Sequence, residues 1–212
     1  MAGQLIEPDV FKKQRPSDVA NDEQEAQLIA QLQAGQQRAL RPLYDKYLQR
    51  VYALCLRLSG DPEIAEDICQ EVFVQVWQKI GNFRGDSKFS TWLYSVTSNL
   101  AINHMRKQKR WWQSWFSNLD KTTGEAHIDN IAVFDEQHDH AVWRNGLDKH
   151  ILSLPQQARV VFVLFAIEGW RHEEIAKELK IAVGSSKAQY HRAKKLLQDM
   201  LNAEELIGEV AS

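Results

Sequence analysis

A chain of 212 residues has room for one large domain or two small ones, at roughly 100–200 residues each. Its 44% apolar and 25% charged residues exclude a wholly disordered chain. Two cysteines exclude a disulfide-dense scaffold, and ten glycines with five prolines argue against many short strands and turns. No apolar run is long enough to span a bilayer or to form a secretion signal, so the cytoplasm is the expected compartment.

The net charge of −2 conceals strong segregation. Asp61 to Gln75 holds five acids and no base, whereas Arg84 to Arg110 holds six bases and one acid. Asp120 to Asp139 is acidic again, and Lys180 to Lys195 carries five bases and no acid. Two separated basic patches suggest two contacts with a polyanion, while the acidic stretches need another partner or water.

Residues 1–22 show no period and read as a loose tail. Leu28, Ile29 and Leu32 begin a helical stripe, followed by Leu40, Leu43, Tyr44, Tyr47, Val51, Leu54, Cys55 and Leu58 at three- and four-residue steps. Ser59-Gly60-Asp61-Pro62 stops that helix and caps the next, whose stripe is Ile64, Ile68, Val72, Val76 and Ile80. A polar loop from Asn82 to Lys88 leads to a helix capped by Ser90 or Thr91, with Trp92, Leu93, Val96, Leu100 and Met105 as its stripe. Residues 111–146 lose the period and read as a linker, opening on Trp111, Trp112, Trp115 and Phe116. From Leu147 the helical pattern returns through Ile151 and Leu154, then Val160 to Ile167, closed by Glu168-Gly169. A short helix around Ile175 and Leu179 follows. A turn over Ile181 to Gly184 and a Ser185 cap then lead into a long basic helix with Tyr190, Ala193, Leu197 and Leu201 inward. The expected fold class is all-α, with two small helical domains joined by a flexible linker.

Two helices joined by a tight glycine-containing turn, the second one basic, form a helix-turn-helix pattern. The outward positions of its second helix would be Ser185, Ser186, Lys187, Gln189, Tyr190, His191, Arg192 and Lys194. Gln and Arg suit base edges; Lys and Ser more often hold phosphates. The first basic module sets Phe83, Arg84, Lys88 and Phe89 beside a helix with Trp92, Tyr94, Thr97, Ser98, Asn99 and Asn103. Aromatic rings beside cations suit unstacked single-stranded bases, but a core aromatic cluster with a solvated basic helix end accounts for them equally well. Glu66, Asp67, Gln70, Glu71 and Gln75 form a polar ridge, read as a solvated face first and a protein-docking face second. His138 and His140 lie near Asp135 and Asp139 without zinc spacing, and no phosphate loop or nucleophile motif occurs. No catalytic residue, metal or cofactor is expected. A dimeric regulator using residues 23–110 as a sensory bundle is the main alternative, with a metal hydrolase built on His138 and His140 behind it.

Both modules resemble those of bacterial sigma factors, specifically the two-domain extracytoplasmic-function (ECF) group of the sigma-70 family. In the first, the matching stretches are Leu43-Tyr44 with Tyr47, Val51-Tyr52, Ala65 to Phe73 with Trp77, Phe83-Arg84-Gly85, Phe89 to Leu93, and Asn99 before Arg106. In the second they are Leu154-Pro155, Arg159, Val161-Phe162, Glu168-Gly169, Glu174-Ile175-Ala176, Val183 to Lys187 and His191-Arg192-Ala193.

The resemblance implies a non-enzymatic RNA polymerase sigma factor with region 2 over residues 23–110, a linker over 111–146, region 4 over 147–201 and a tail over 202–212. Glu66, Asp67, Gln70 and Glu71 would dock on the largest subunits of core polymerase. Asn82, Phe83, Arg84, Lys88, Trp92, Asn99 and Arg106 would take the melted −10 promoter element, and the outward side chains of the last helix would read the −35 element. The two elements lie about two helical turns apart, ~70 Å. An anti-sigma factor is a further implied partner; membrane insertion and a small-molecule substrate are not. Asn103 stands where Asp is usual, and Ser186 and Gln189 stand where an apolar residue and Arg are usual.

Overall fold

The computed structural model describes residues 16–107 and 147–210, with side chains over 23–107 and 147–204. The expected linker, with its tryptophan cluster and its histidines, lies outside them. The described residues hold α1 (Pro16–Gln33), α2 (Leu40–Ser59), α3 (Pro62–Lys79), α4 (Phe89–Lys107), α5 (Leu147–Ser153), α6 (Gln156–Phe162), α7 (His172–Leu179) and α8 (Val183–Val210), and no strand among them. A π-helical turn, Val163–Ile167, continues α6. α1 begins at Pro16, ahead of the period that starts near Asp22, and α8 runs on to Val210, past Leu201.

α2, α3 and α4 pack on one another as a bundle. Leu43, Tyr47, Val51, Leu54, Cys55 and Leu58 of α2 are buried, as are Ile68, Val72 and Val76 of α3 with the following Ile80. The α2–α3 corner follows from its residue types. Gly60 takes φ +74°, which an L side chain resists, and its N–H closes α2 on the Leu56 carbonyl at 2.7 Å. Asp61 Oδ1 then accepts from the Ile64 N–H at 3.1 Å, with Pro62 at the first helical position.

α4 buries a different stripe from the one its apolar residues suggest. Phe89, Leu93, Thr97, Ala101 and Met105 are buried at four-residue steps, with Ser98 and Ile102 beside them, while Val96 and Leu100 are only half-buried. Thr97 tolerates this because its hydroxyl donates to the Leu93 carbonyl at 2.8 Å. The helix also starts at Phe89, so Ser90 and Thr91 lie inside it instead of capping it.

In the second module α6 and α7 pack against α8. The Glu168 N–H reaches back to the Val163 carbonyl at 3.0 Å, a π-type closure that leaves Ile167 exposed. Leu147 and Leu201, expected on inner stripes, are also exposed. Lys180, at φ 55°, caps the end of α7, and three residues, 180–182, separate α7 from α8.

The two modules touch directly. Arg57 of α2 grips Asp148 of α5 through two hydrogen bonds, 2.7 and 3.1 Å. Arg159 of α6 is buried and donates to Leu152 O in its own module and to Ser59 O at the end of α2, both at 3.0 Å. A Cβ on Gly60 would collide with that guanidinium. Buried apolar residues of both modules form one continuous cluster. Gly60→Ala therefore meets a left-handed backbone and a filled space together. It should lower unfolding stability by about 1–3 kcal/mol from backbone strain alone, as measured by urea denaturation.

Candidate functional site

Three surfaces carry the residues singled out from the sequence. On α3, Glu66, Asp67, Gln70 and Glu71 are all exposed, opposite the buried Ile68, Val72 and Val76. Val74 and Trp77 continue that face, 54% and 36% exposed. They lie seven and ten positions beyond Asp67, so helical spacing could have placed these two apolar side chains at the end of an acidic ridge.

The second surface is the 82–88 loop with α4. Asn82, Arg84 and Lys88 are exposed; Phe83, Trp92, Asn99 and Arg106 are half-buried. Phe83, Phe89 and Trp92 form an aromatic triad with centroids 5.5–5.8 Å apart, which pins the loop to the helix. Gln33 of α1 holds it from the other side, donating to the carbonyls of Ile80 at 3.0 Å and Phe83 at 2.8 Å. α1 is fixed in turn by Glu25, which accepts from Tyr47 Oη at 2.6 Å and Lys46 Nζ at 2.5 Å. Of the polar groups expected to face bases, Thr97 and Ser98 are buried in the core. Arg106 donates to Asn103 Oδ1 at 3.3 Å and lies 3.4 Å from Glu178 of α7.

On α8, Lys187, His191, Arg192 and Lys194 are exposed, and Ser185, Gln189 and Tyr190 are half-buried. Ser186 does not face outward: it is fully buried, and its Oγ lies 2.9 Å from His172 Nδ1. A hydroxyl takes this inward place because the imidazole supplies its hydrogen bond. Gln189 is also tied down, donating to Gln157 Oε1 at 3.1 Å. Tyr190 leans on Phe165 at 4.6 Å, and Phe165 stacks on His172 at 4.2 Å, so these rings set α8 against α6 and α7. Ser185 lies inside α8, which begins at Val183, and does not cap it. Lys195, exposed beside Lys194, belongs with the basic face.

Between the modules lies a cleft of 1040 Å³, bordered by Arg50 and Arg57 of α2, Tyr94 of α4, the 167–170 turn, and Glu174, Lys177 and Glu178 of α7. At its edge the Glu168 carboxyl is pushed up to about 7, chiefly by burial and against the pull of Arg57. Among the described residues no group of three or more His, Cys, Asp or Glu could hold a metal, and no helix is long and apolar enough to cross a membrane.

The fold and these surfaces define a two-module helical protein with one acidic ridge and two cationic faces. The family model of sigma-70 region 2 matches residues 43–111, and that of sigma-70, region 4 matches residues 144–197. The chain is 32% identical to the RNA polymerase sigma-H factor of Pseudomonas aeruginosa, over 84% of this chain and 94% of that one. It is 34% identical to the ECF RNA polymerase sigma factor SigW of Bacillus subtilis, over 82% and 94%. Among solved structures it is similar to the sigma factor RpoE of Bartonella quintana, in complex with the anti-sigma factor NepR, at 23% identity and a TM-score of 0.48, over 76% of this chain and 96% of that one. The chain belongs to the sigma-70 family of RNA polymerase sigma factors, in its extracytoplasmic-function group. It serves promoter recognition in transcription initiation.

Glu168 sets a pH dependence. Folded, it keeps its proton until about pH 7; unfolded, it releases it near 4.5. The stability it contributes is therefore full below the lower value and lost as pH rises through the upper one, by order of 1–3 kcal/mol. Glu168→Gln should flatten the fall in unfolding stability between those limits, read from denaturation midpoints across pH; an unchanged profile would show that the slope has another source.

Proposed function

We propose that α3 docks the chain on core RNA polymerase, that the 82–88 loop with α4 holds melted −10 DNA, and that α8 reads the −35 element as duplex. The observation that carries this division is the separation of charge. The acidic residues of α3 are exposed together, and the exposed cations of the two basic faces lie on other elements, the 82–88 loop and α8, so one molecule can hold a protein with one surface and DNA with two others. No step is catalytic, and the expected compartment is the cytoplasm.

The chemistry of each face follows from its side chains. Val74 and Trp77 beside Asp67, Gln70 and Glu71 make an amphipathic stripe suited to a basic, partly apolar helix face on polymerase. At the −10 face, Arg84, Lys88 and Arg106 can hold phosphates while Trp92, already packed at a tilt against Phe83 and Phe89, offers its remaining surface to a base. Stacking is worth about 1–3 kcal/mol per base, the scale of unstacking one step of duplex. Strand opening is then driven by giving exposed bases a better environment than water. On α8, Lys187, His191, Arg192 and Lys194 are the side chains free to reach DNA; Ser186 is removed from this set by its burial. An anti-sigma protein is the further partner that membership of this group implies, and co-purification tests it.

Replacing Asp67 and Glu71 together with Lys should abolish core-polymerase binding and leave the fold intact, since exposed substitutions usually shift stability by only about 0.5 kcal/mol. Retained polymerase binding by this variant would refute the docking assignment. Loss of Lys187 and Arg192 to Ala should weaken binding of the assembled polymerase to promoter duplex. It should also reduce the slope of log affinity against log salt by about 1.8, the value for two phosphate contacts. Equal slopes would take both residues out of the phosphate-contact set.

A further inference from the structure

We propose that Gln33, the last residue of α1, is a positioning residue for the −10 strand: its carboxamide clips the turn from Ile80 to Phe83, so that the base preference of the 82–88 loop depends on a helix outside the loop. The proposal rests on the assignment of that loop to melted −10 DNA.

The chemistry of the clip is specific. Gln33 Nε2 donates to Ile80 O at 3.0 Å and to Phe83 O at 2.8 Å, across 47 and 50 positions of chain. A primary amide carries two N–H groups on one nitrogen, and both are used here. Ile80 O also accepts from the Phe83 N–H at 3.0 Å, so the turn is closed from within and held from outside at both ends. Glutamate has the same shape but no donor, and its oxygens would face two carbonyls.

The clip also completes a circuit. Phe83 packs on Phe89 at 5.8 Å, and Phe89 packs on Tyr47 of α2 at 5.5 Å. Tyr47 Oη donates to Glu25 at 2.6 Å, and Glu25 shares α1 with Gln33. Removing the Gln33 amide opens this circuit at the link that holds the loop backbone. The ring contacts of Phe83 would remain, and ordering the turn would fall to the arriving strand.

What the clip presents is open to a ligand. Gly81 and Asn82, between the two clipped carbonyls, are exposed, as is Arg84 beside them. A Cβ on Gly81 would meet nothing within 4 Å. The Asn82 amide can both donate to and accept from the edge of an unpaired base. Gln33 is itself exposed, so its replacement uncovers no core.

The test uses the full chain assembled with core polymerase. The probe is a DNA fork whose single-stranded segment is randomised, and the bound fraction is sequenced. Gln33→Met, neutral and of similar length, should weaken binding about tenfold, the factor expected if the unclipped turn holds the competent shape for about a tenth of the time. It should also flatten base preference within the single strand, while its melting temperature and its affinity for random-sequence duplex stay at wild-type values. A purely structural role for Gln33 would instead lower the melting temperature and leave the base preference in place. Gln33→Glu should flatten the preference as well. Gln31→Glu, which adds the same charge at an exposed position two residues away, should not. Should Gln33→Met lose its helical circular dichroism, Gln33→Glu and its Gln31→Glu control decide the question. A folded Gln33 variant with the wild-type base preference overturns the clip, and equal flattening by Gln31→Glu overturns it too. Asn82→Ala, measured in parallel, keeps the two assignments apart: if it alters the preference and the Gln33 variants do not, only the clip is wrong, and if none alters it, the loop assignment falls as well.

Discussion

One buried guanidinium sets the geometry of the whole molecule. Arg159 spans the junction, giving one hydrogen bond to Leu152 O and another to Ser59 O, and its presence is written into the glycine at position 60. Burial drives its pKa down to about 10, the signature of a charge taken from water without a carboxylate to receive it. Desolvating such a charge costs several kcal/mol, and two charge-assisted hydrogen bonds return about 1.5–3 kcal/mol each. The two terms nearly cancel. An interaction of this kind fixes how two bodies meet without holding them together strongly.

The residues proposed to act lie on the outer faces of helices whose inner faces make the core. α3 buries Ile68, Val72 and Val76 and shows Asp67, Gln70 and Glu71; α8 buries Ser186, Ala193 and Leu197 and shows Lys187, His191 and Lys194. Rigidity is supplied where a loop must be held. The 83–88 segment has no regular structure of its own, yet Gln33 and the Phe83–Phe89–Trp92 triad tie it to α1 and α4, and the Glu25–Tyr47 bond ties α1 in turn to α2. The side chains proposed to meet melted DNA therefore sit on a prepared surface, and less ordering entropy is lost when a strand arrives.

What could be seen in the sequence was what depends on neighbours along the chain. The stripes of α2 and α3, the Gly60 stop and the Asp61–Pro62 start are local effects, and each occurs at the residues whose chemistry dictates it. α4 was legible as a helix but not in its facing, because Thr97 and Ser98 are polar residues in apolar surroundings, and only the Leu93 carbonyl explains the first of them. Ser186 and Gln189 looked like departures from the family pattern in a DNA-reading helix. Their roles depend on His172 and Gln157, fourteen and thirty-two positions away, and spacing does not reveal such partners. The junction was invisible for the same reason. Arg57 and Asp148 are 91 positions apart, and nothing near either residue announces the other.

The most direct measurement is start-site selection. Purified chain is combined with sigma-free bacterial core polymerase on templates randomised upstream of a reporter, and the transcribed templates are sequenced. Chain-dependent transcripts enriched in two short motifs about two helical turns apart are the predicted result. Absence of chain-dependent initiation, or enrichment of one palindromic duplex motif alone, would contradict it.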